Sequence, residues 1–323
     1  MMQQQRLAGS DLIVSPLCLG SNQFGTALDD AAAAAILDAF ISAGGNFIDT
    51  ARSYGDWIPD APRGASERTL GRLLACRDRT SLVIATKGCE FDYRAGNFAP
   101  RVTPAHLRAD LAASLDALQC NHVDLYWLHR DDSSRPVEPL IDALIEEQQA
   151  GRIRYFGCSN WSPTRIAEGL AYALRIGHAG FLACQPLWGL AEPNREAMQR
   201  YCPGGYYEDG YQSLHAAGLT MIPYSGQSRG VFSKLAQGGE SSLGQELLDL
   251  YLNDVNRRRL KLVQQLAQTH NASINQVVLA YLLCQKAQTI PIIGASHPEQ
   301  IIDSVGACTL RLSTDELSAM QAG

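Results

Sequence analysis

Short apolar runs alternate with longer amphipathic stretches along the whole chain. Eight of these runs are six to eight residues long and apolar at most positions, which is typical of parallel strands buried on both faces. In chain order they span residues 16–21, 46–51, 82–87, 123–129, 153–160, 181–186, 219–224 and 289–294. The pattern therefore predicts eight parallel strands.

Residues that favour helix starts stand between these runs. Asp29 precedes a long alanine-rich stretch, and Thr103 with Pro104 precedes another; such residues suit the cap and first turn of a helix. The same pattern recurs at residues 136–150 and 163–175 and after Ser273. Eight strand–helix alternations without a domain-sized linker predict an α/β fold, a single (β/α)8 TIM barrel over residues 1–323.

A doubly wound sheet is the alternative architecture for alternating strands and helices. When such a sheet binds a dinucleotide, it carries a glycine-rich GxGxxG turn after its first strand. No such string occurs in this sequence, which favours the barrel. Two connections, at residues 191–210 and 225–253, are longer than ordinary, and long connections in compact domains often carry function.

The composition is that of a globular protein, with 46% hydrophobic and 19% charged residues. A net charge of −6 offers no basic surface for nucleic acid or an anionic membrane, so a small organic molecule is the expected partner. No apolar stretch reaches the length of a signal peptide or a membrane span. The nine cysteines are scattered without a CxxC pair, which predicts reduced thiols in a cytoplasmic protein.

Four chemically active side chains stand at the ends of neighbouring predicted strands or just beyond them. Asp49, Lys87 and His129 stand at the ends of the second, third and fourth apolar runs, and Tyr54 lies shortly after Asp49. Because the carboxyl ends of barrel strands share one mouth, these side chains are expected to converge. Each of the four residues alone is equally consistent with a structural role. All four together, in this order, predict a catalytic site.

That chemistry is proton transfer to the oxygen of a carbonyl that receives a hydride. Tyr54 would be the proton donor, and a nearby Lys87 ammonium would lower the pKa of its phenol. Asp49 would keep Lys87 charged and in position. His129 would hydrogen-bond the substrate oxygen and orient it. In the reverse direction, alcohol oxidation, Tyr54 would act as the base.

The strings around these residues resemble the aldo-keto reductase family, in its potassium-channel β-subunit-like and bacterial branch. The resemblance rests on Asp49-Thr50-Ala51 with Tyr54-Gly55, Ala85-Thr86-Lys87, Leu125 to His129, Gly157-Cys158-Ser159-Asn160 and Gln185-Pro186. These motifs follow one another in order over essentially the whole chain. The resemblance implies a barrel fold, a nicotinamide cofactor and the four residues above as the catalytic ones.

The resemblance also implies where the cofactor lies. Ser159, Asn160 and Gln185 would hydrogen-bond the nicotinamide carboxamide, and Tyr224 would stack on the nicotinamide ring. The other implied contacts are Ser225, Gln227 and Arg229 near the pyrophosphate and Gly294, Ser296, Gln300 and Asp303 around the adenosine phosphate. The chain departs from the family at Gly226-Gln227-Ser228, where Pro-Leu-Ala is frequent, and at Ser304, where Asn is common.

NADP(H) is the expected cofactor, with NAD(H) as the alternative. Basic residues that some relatives carry are absent at Gly294 and Gln300, but Ser296 and Gln300 can donate to a 2′-phosphate. Arg229 could supply the positive charge from the loop above. No metal is expected.

The expected substrate is a small carbonyl or alcohol, namely an aldehyde, ketone or sugar. Trp57, in the loop after Tyr54, and Trp188, near a strand end, are expected to line its pocket.

Two other function classes fit the same fold. The first is a nicotinamide-binding regulatory subunit of a protein partner, as in the potassium-channel β subunits, which keep the same four residues. No added partner-docking segment is recognisable in the sequence, which favours the enzyme. The second is a metal-dependent hydrolase, which needs clustered His and carboxylate ligands at strand ends. The predicted strand ends supply only His129.

Overall fold

The computed structural model describes residues 1–96, 98–201, 204–208 and 210–323. The strands in these residues are β1 Gln5–Arg6, β2 Ile13–Val14, β3 Cys18–Gly20, β4 Phe47–Asp49, β5 Val83–Gly88, β6 Val123–Leu128, β7 Ile153–Ser159, β8 Ala183–Gln185, β9 Thr220–Met221 and β10 Ile292–Ile293. Eight of them form one parallel sheet in the order β10-β3-β4-β5-β6-β7-β8-β9.

The two ends of this sheet are joined by backbone hydrogen bonds. The amide of Met221 in β9 donates to the carbonyl of Gln288 (3.2 Å), and the amide of Ile290 donates back to Met221 (2.9 Å). The segment that leads into β10 is thereby paired with β9, while β10 itself pairs with β3. This arrangement is consistent with the predicted (β/α)8 barrel.

Helices follow the strands. Their bounds are α1 Asp30–Ser42, α2 Ala65–Leu74, α3 Pro104–Leu118, α4 Glu138–Gln149, α5 Pro163–Arg175, α6 Arg195–Tyr201, α7 Tyr211–Ala216, α8 Val231–Gly238, α9 Gln245–Tyr251, α10 Asp254–Thr269, α11 Ile274–Leu283, α12 Pro298–Gly306 and α13 Thr314–Ala322. Short 3-10 turns lie at Arg79–Ser81, Ser228–Gly230 and Glu240–Ser242. None of the helices in the described parts of the chain is both long and apolar enough to cross a membrane.

The antiparallel pair β1–β2 contributes to the apolar cluster inside the sheet. Leu7 and Leu12, in the connection between the two strands, and Val14 of β2 share a buried cluster with Phe47 and Trp127 of the sheet. A second, larger cluster packs between the sheet and the helices. Burying one face of the strands against each cluster explains why the strand sequences are apolar at nearly every position.

Each predicted strand is found; β5 is as long as its apolar run and shifted by one residue, and the other seven strands are shorter than theirs. The predicted caps also hold: the Asp29 side chain accepts from the Ala32 amide, and the Thr103 hydroxyl from the His106 amide. Ser273 and Gln276 form a reciprocal capping box at α11.

The eight cysteines in the described ranges are free thiols, four of them buried and Cys76 exposed. Cys202 lies outside the described residues.

Candidate active site

The four residues predicted to be catalytic lie together at the carboxyl ends of three adjacent strands. Asp49 is the last residue of β4, Lys87 is the next-to-last residue of β5, and His129 follows β6 directly. Tyr54 reaches back from the loop after β4, and its hydroxyl is 2.8 Å from the Lys87 Nζ. The parallel register of these strands brings the four side chains to one edge of the sheet.

Lys87 is fully buried and all three of its ammonium hydrogens have acceptors. Its Nζ bonds the carboxylate of Asp49, the hydroxyl of Tyr54 and, at 2.8 Å, the carbonyl of Thr50. Burial by itself lowers the pKa of Lys87, but Asp49 and Tyr54 outweigh it and leave that pKa raised. The lysine is therefore a fixed, buried cation beside the phenol.

Asp49 is held by donors from three further strands. Its Oδ2 accepts from Lys87, and its Oδ1 accepts from the indole nitrogen of Trp127 (3.1 Å) and the amide nitrogen of Gln185 (3.0 Å). This role of Trp127 was not predicted, because it depends on the strand register that places Trp127 opposite Lys87. Gln185 was predicted to contact the cofactor alone, whereas its amide nitrogen is used within the protein.

The pKa of the Tyr54 phenol is shifted in the direction opposite to the sequence-based expectation. Burial raises its pKa, and this outweighs the opposing effect of the Lys87 cation, so the net shift is upward rather than downward. Tyr54 is consequently a neutral phenol at neutral pH. A neutral phenol still has the proton that an acid must donate.

His129 faces both this group and a carboxylate that the sequence analysis did not single out. Its ring centroid is 6.1 Å from that of Tyr54, and its Nδ1 is 3.4 Å from the Glu90 Oε2. Burial, with Lys87 and Arg130 nearby, holds the pKa of His129 well below its usual range. The imidazole is therefore neutral.

The residues predicted to contact a nicotinamide ring lie beside His129. The Asn160 side chain, on a residue with φ of 59°, donates to the carbonyl of His129 (3.1 Å) and accepts from the hydroxyl of Tyr224 (2.8 Å). The Ser159 hydroxyl donates to the carbonyl of Gln185 (2.9 Å). The structure thus brings together all four side chains that the resemblance assigned to this part of the cofactor.

The loop after β9 has the backbone of an anion cradle. Ser225, Ser228, Arg229 and Gly230 all have φ between 47° and 75°, a conformation in which successive amide groups can point toward one anion. A methyl group added at Gly294, across from this loop, would meet nothing within 4 Å. The left-handed backbone of this loop and the open space at Gly294 are compatible with a phosphate of a nicotinamide nucleotide.

The polar side chains around the pocket are largely bonded to one another. Both ends of the Gln227 amide are used, by the Gly294 amide (2.9 Å) and by Asn275 (3.0 Å). Gln300 accepts from the amide and the hydroxyl of Ser296, at 2.8 and 3.2 Å. Asp303 accepts from Asn275 and Gln276. These hydrogen bonds fix the side chains around the pocket. They leave fewer of those side chains free to donate to a phosphate than the sequence suggested.

Arg229 bonds the carboxylate of Glu246 at the surface, where both side chains are about two-fifths exposed. The sequence predicts that Arg229 is available to a phosphate, whereas in the structure Glu246 competes for its guanidinium.

The two tryptophans predicted to line the substrate pocket differ in their exposure to solvent. Trp57 is 45% exposed and makes an edge contact with the Tyr54 ring, with centroids 6.0 Å apart. Trp188 is 1% exposed and stacks on Tyr207, with centroids 3.6 Å apart. The prediction for Trp188 is wrong, because stacking in the core takes this ring away from the surface that a substrate could reach.

The chain is similar to known proteins over nearly its whole length, including the residues of this site. The Aldo/keto reductase family model matches residues 16–322. The norsolorinic acid reductase B of Dothistroma septosporum is 28% identical over 96% of this chain and 78% of its own length. The aldo-keto reductase AusK of Aspergillus calidoustus is 30% identical over the same shares, and the uncharacterized oxidoreductase YrpG of Bacillus subtilis is 28% identical over 98% and 94%.

A solved structure of a thermostable aldo-keto reductase, in complex with the inhibitor epalrestat, has the same fold. Its TM-score is 0.73 at 23% identity, and the match covers 99% of both chains. The buried lysine, carboxylate and phenol at the ends of parallel strands agree with a family match over nearly the whole sequence. The chain belongs to the aldo/keto reductase family, whose members are oxidoreductases that act on carbonyl compounds.

Proposed function

We propose that this protein is an NADP(H)-dependent reductase that transfers hydride between a nicotinamide and a carbonyl or alcohol substrate. The observation that carries the proposal is the hydrogen bond from the buried Lys87 ammonium to the Tyr54 hydroxyl. A buried cation next to a phenol stabilises the phenolate that remains after the phenol gives up its proton. A general acid that protonates a carbonyl oxygen needs its conjugate base to be stabilised in this way.

Each catalytic side chain has one task in this scheme. A bound nicotinamide supplies or accepts the hydride. Tyr54 donates its proton to the substrate oxygen during reduction and takes one back during oxidation. Lys87 stabilises the resulting phenolate, Asp49 holds Lys87, and His129 hydrogen-bonds the oxygen-bearing group of the substrate and orients it.

The cofactor residues are proposed from their chemistry and position. Ser159, Asn160 and Gln185 offer the donors and acceptors that a carboxamide needs, beside the aromatic ring of Tyr224. The left-handed backbone at Ser225 and Arg229 supports a phosphate contact. The remaining proposed contacts are Gln227, Gly294, Ser296, Gln300 and Asp303.

The proposed substrate is an aldehyde, ketone or sugar that lies against Trp57. This ring is exposed and adjoins Tyr54, so an apolar part of a substrate can pack on it while the reacting oxygen meets the phenol. Trp188 is left out of the proposed pocket because it is buried.

Consumption of NADPH in the presence of a panel of aldehydes, ketones and sugars tests the function. The matched variant is Tyr54→Phe, which removes the hydroxyl and keeps the ring. Loss of a general acid typically costs 10²- to 10⁴-fold, so kcat should fall by at least about 10² while NADPH still binds. A variant with wild-type kcat under conditions where chemistry limits the rate would contradict the assignment.

A further inference from the structure

A row of aromatic rings leads from Tyr54 toward solvent. Trp57, on the loop after β4, makes an edge contact with the Tyr54 ring, with centroids 6.0 Å apart. The Tyr93 ring, on the loop after β5, makes an edge contact with Trp57 at 5.9 Å, and Phe98 does so with Tyr93 at 6.3 Å. Phe91 ends the row, 6.1 Å from Phe98. We call the four residues beyond Tyr54 in this row the aromatic platform.

The platform leaves much of its apolar surface uncovered. Trp57 is 45% exposed and Phe98 57%, while Phe91 and Tyr93 are half-buried. The interplanar angles along the row lie between 68° and 87°, and edge contacts of this kind cover less ring surface than stacking does. A contiguous exposed apolar surface commonly marks a binding site, and this one is continuous with the catalytic phenol.

Polar contacts hold the two loops of the platform together. Arg63, on the loop after β4, bonds both carboxylate oxygens of Asp92 (3.1 and 3.2 Å) on the loop after β5. In the opposite direction Arg94 donates to the carbonyls of Asp56 (3.4 Å) and Ala61. The platform is therefore formed before a substrate binds, which lowers the entropy cost of holding a rigid molecule on it.

The arginines beside the platform are bonded within the protein. Besides Arg63 and Arg94, Arg130 lies 5.4 Å from the centre of the Phe91 ring and bonds both oxygens of Glu90. A sugar carries many hydroxyls and needs matching donors and acceptors, whereas this surface offers mainly aromatic rings. A flat aromatic ring system fits it, because its faces and edges complement those of the platform.

We propose that the aromatic platform determines substrate specificity and selects aldehydes and ketones whose carbonyl group is attached to fused aromatic rings. The inference rests on the proposed function for its reaction and adds the class of substrate. With the carbonyl oxygen at the Tyr54 hydroxyl, the ring that bears the carbonyl lies against Trp57. A second, fused ring then extends toward Tyr93 and Phe98.

Binding of two unreactive amides with the same carbon skeleton tests the platform without turnover. The rings of 2-naphthamide are flat and aromatic, whereas those of decahydro-2-naphthamide are saturated and puckered. Apolar burial alone does not favour the flat amide, so a preference for it measures contacts between aromatic rings. Calorimetry with NADP+ in excess should show 2-naphthamide bound about tenfold more tightly than its saturated counterpart.

Leucine in place of the two exposed rings separates aromatic contacts from apolar area. Trp57→Leu and Phe98→Leu should each lower the preference about threefold, and the double variant should bind both amides about equally. Because both side chains are largely exposed, these variants are expected to fold, which circular dichroism checks. Leu174→Ala, at a site 77% exposed on α5, is the matched control and should keep the full preference.

The inference is overturned if the wild type binds neither amide, or binds the saturated one at least as tightly. It is also overturned if the preference survives in the double variant. Reduction of propanal by NADPH, measured on the same protein, keeps the two proposals apart. Activity without a preference between the amides would leave the reductase and refute the platform, whereas a preference without activity would leave the platform as an aromatic binding site and refute the reductase.

Discussion

Both oxygens of the Asp49 carboxylate are engaged by buried donors, from Lys87, Trp127 and Gln185. A buried carboxylate without partners is costly, and removing one partner of a buried ion pair typically costs 3–5 kcal/mol. Asp49 and Lys87 should therefore act as one unit on Tyr54.

Asp49→Asn and Lys87→Met are expected to be strongly non-additive. Each single variant disturbs the same Lys87–Tyr54 contact, so the double variant should lose little more kcat than the worse single variant. The measurement is kcat for carbonyl reduction in all four proteins of the cycle. The surface pair of Asp38 and Arg77 offers a matched control, whose loss should leave kcat unchanged. Additive losses at the buried pair would show that the two residues act separately.

At the residue level the sequence predicted which groups meet, but not their electrostatics. Asp49, Tyr54, Lys87 and His129 were recognisable because strand ends converge in a barrel. The upward pKa shift of Tyr54 depends on how deeply the ring is buried, which no motif encodes. The error at Trp188 has a similar origin, since residues near a strand end can turn toward the mouth or into the core.

Among the elements, α2 illustrates a helix without a sequence signal at its start. Its cap is Gly64, in a left-handed conformation and without a side-chain hydrogen bond, whereas α1, α3 and α11 were recognisable from Asp29, Thr103 and Ser273. The β1–β2 pair was missed for a different reason, since Gln5 and Arg6 of β1 are polar and do not lie in an apolar run.

The helix α2 also carries a buried carboxyl, Glu67, that packs on β5. Its Oε1 accepts from the Thr86 hydroxyl at 2.5 Å, and its Oε2 has no hydrogen-bond partner among the described residues. Burial raises the pKa of Glu67 to about 7. The folded state therefore favours the neutral carboxyl, so this group contributes stability below its ordinary pKa and loses it as the pH rises through about 7.

Glu67→Gln should remove that pH dependence, because the amide stays neutral. Above pH about 7 the variant should exceed the wild type in free energy of unfolding by on the order of 2–3 kcal/mol, with the difference vanishing toward pH about 4. Thermal or urea unfolding across this range measures it. Glu146→Gln, at an exposed site of α4, is the control and should leave the pH profile unchanged. A wild-type stability that does not fall between these limits would contradict a neutral Glu67.

On the scale of the whole molecule, the order of strands and helices was readable because a parallel strand buried on both faces leaves an apolar run. The pairing of β9 with residues 288–290 was not readable, because closure depends on the register of segments far apart in sequence. The same holds for the proposed cofactor pocket, whose residues come from the loop after β9, from the segment after β10 and from α12. The sequence alone did not show that the Gly294 amide donates a hydrogen bond to the side chain of Gln227 across this pocket.

Arg229 is expected to contribute to cofactor choice in spite of its bond to Glu246. That bond is an exposed ion pair, which is worth roughly 0–1 kcal/mol, so a phosphate can displace it at little cost. Arg229→Ala should lower kcat/KM for NADPH about tenfold and leave that for NADH nearly unchanged. Arg257→Ala, which breaks a similar exposed pair with Glu240, is the matched control.

Steady-state rates with both nucleotides test this prediction. A wild-type preference for NADH would refute the NADP(H) proposal. A preference for NADPH that survives Arg229→Ala would keep the cofactor and exclude Arg229 as its cause.

The bonds of Asp49 also limit how the barrel can be recombined. Asp49, Lys87 and Trp127 all belong to the first half of the sheet, while Gln185 comes from the second. A chimera that takes its second half from a relative would keep the lysine and indole contacts but inherit whatever side chain the relative has at the position of Gln185. A chimera made by exchanging half-barrels should therefore keep an amide side chain at the position of Gln185. Without it, the Asp49 carboxylate loses one of its three hydrogen-bond donors.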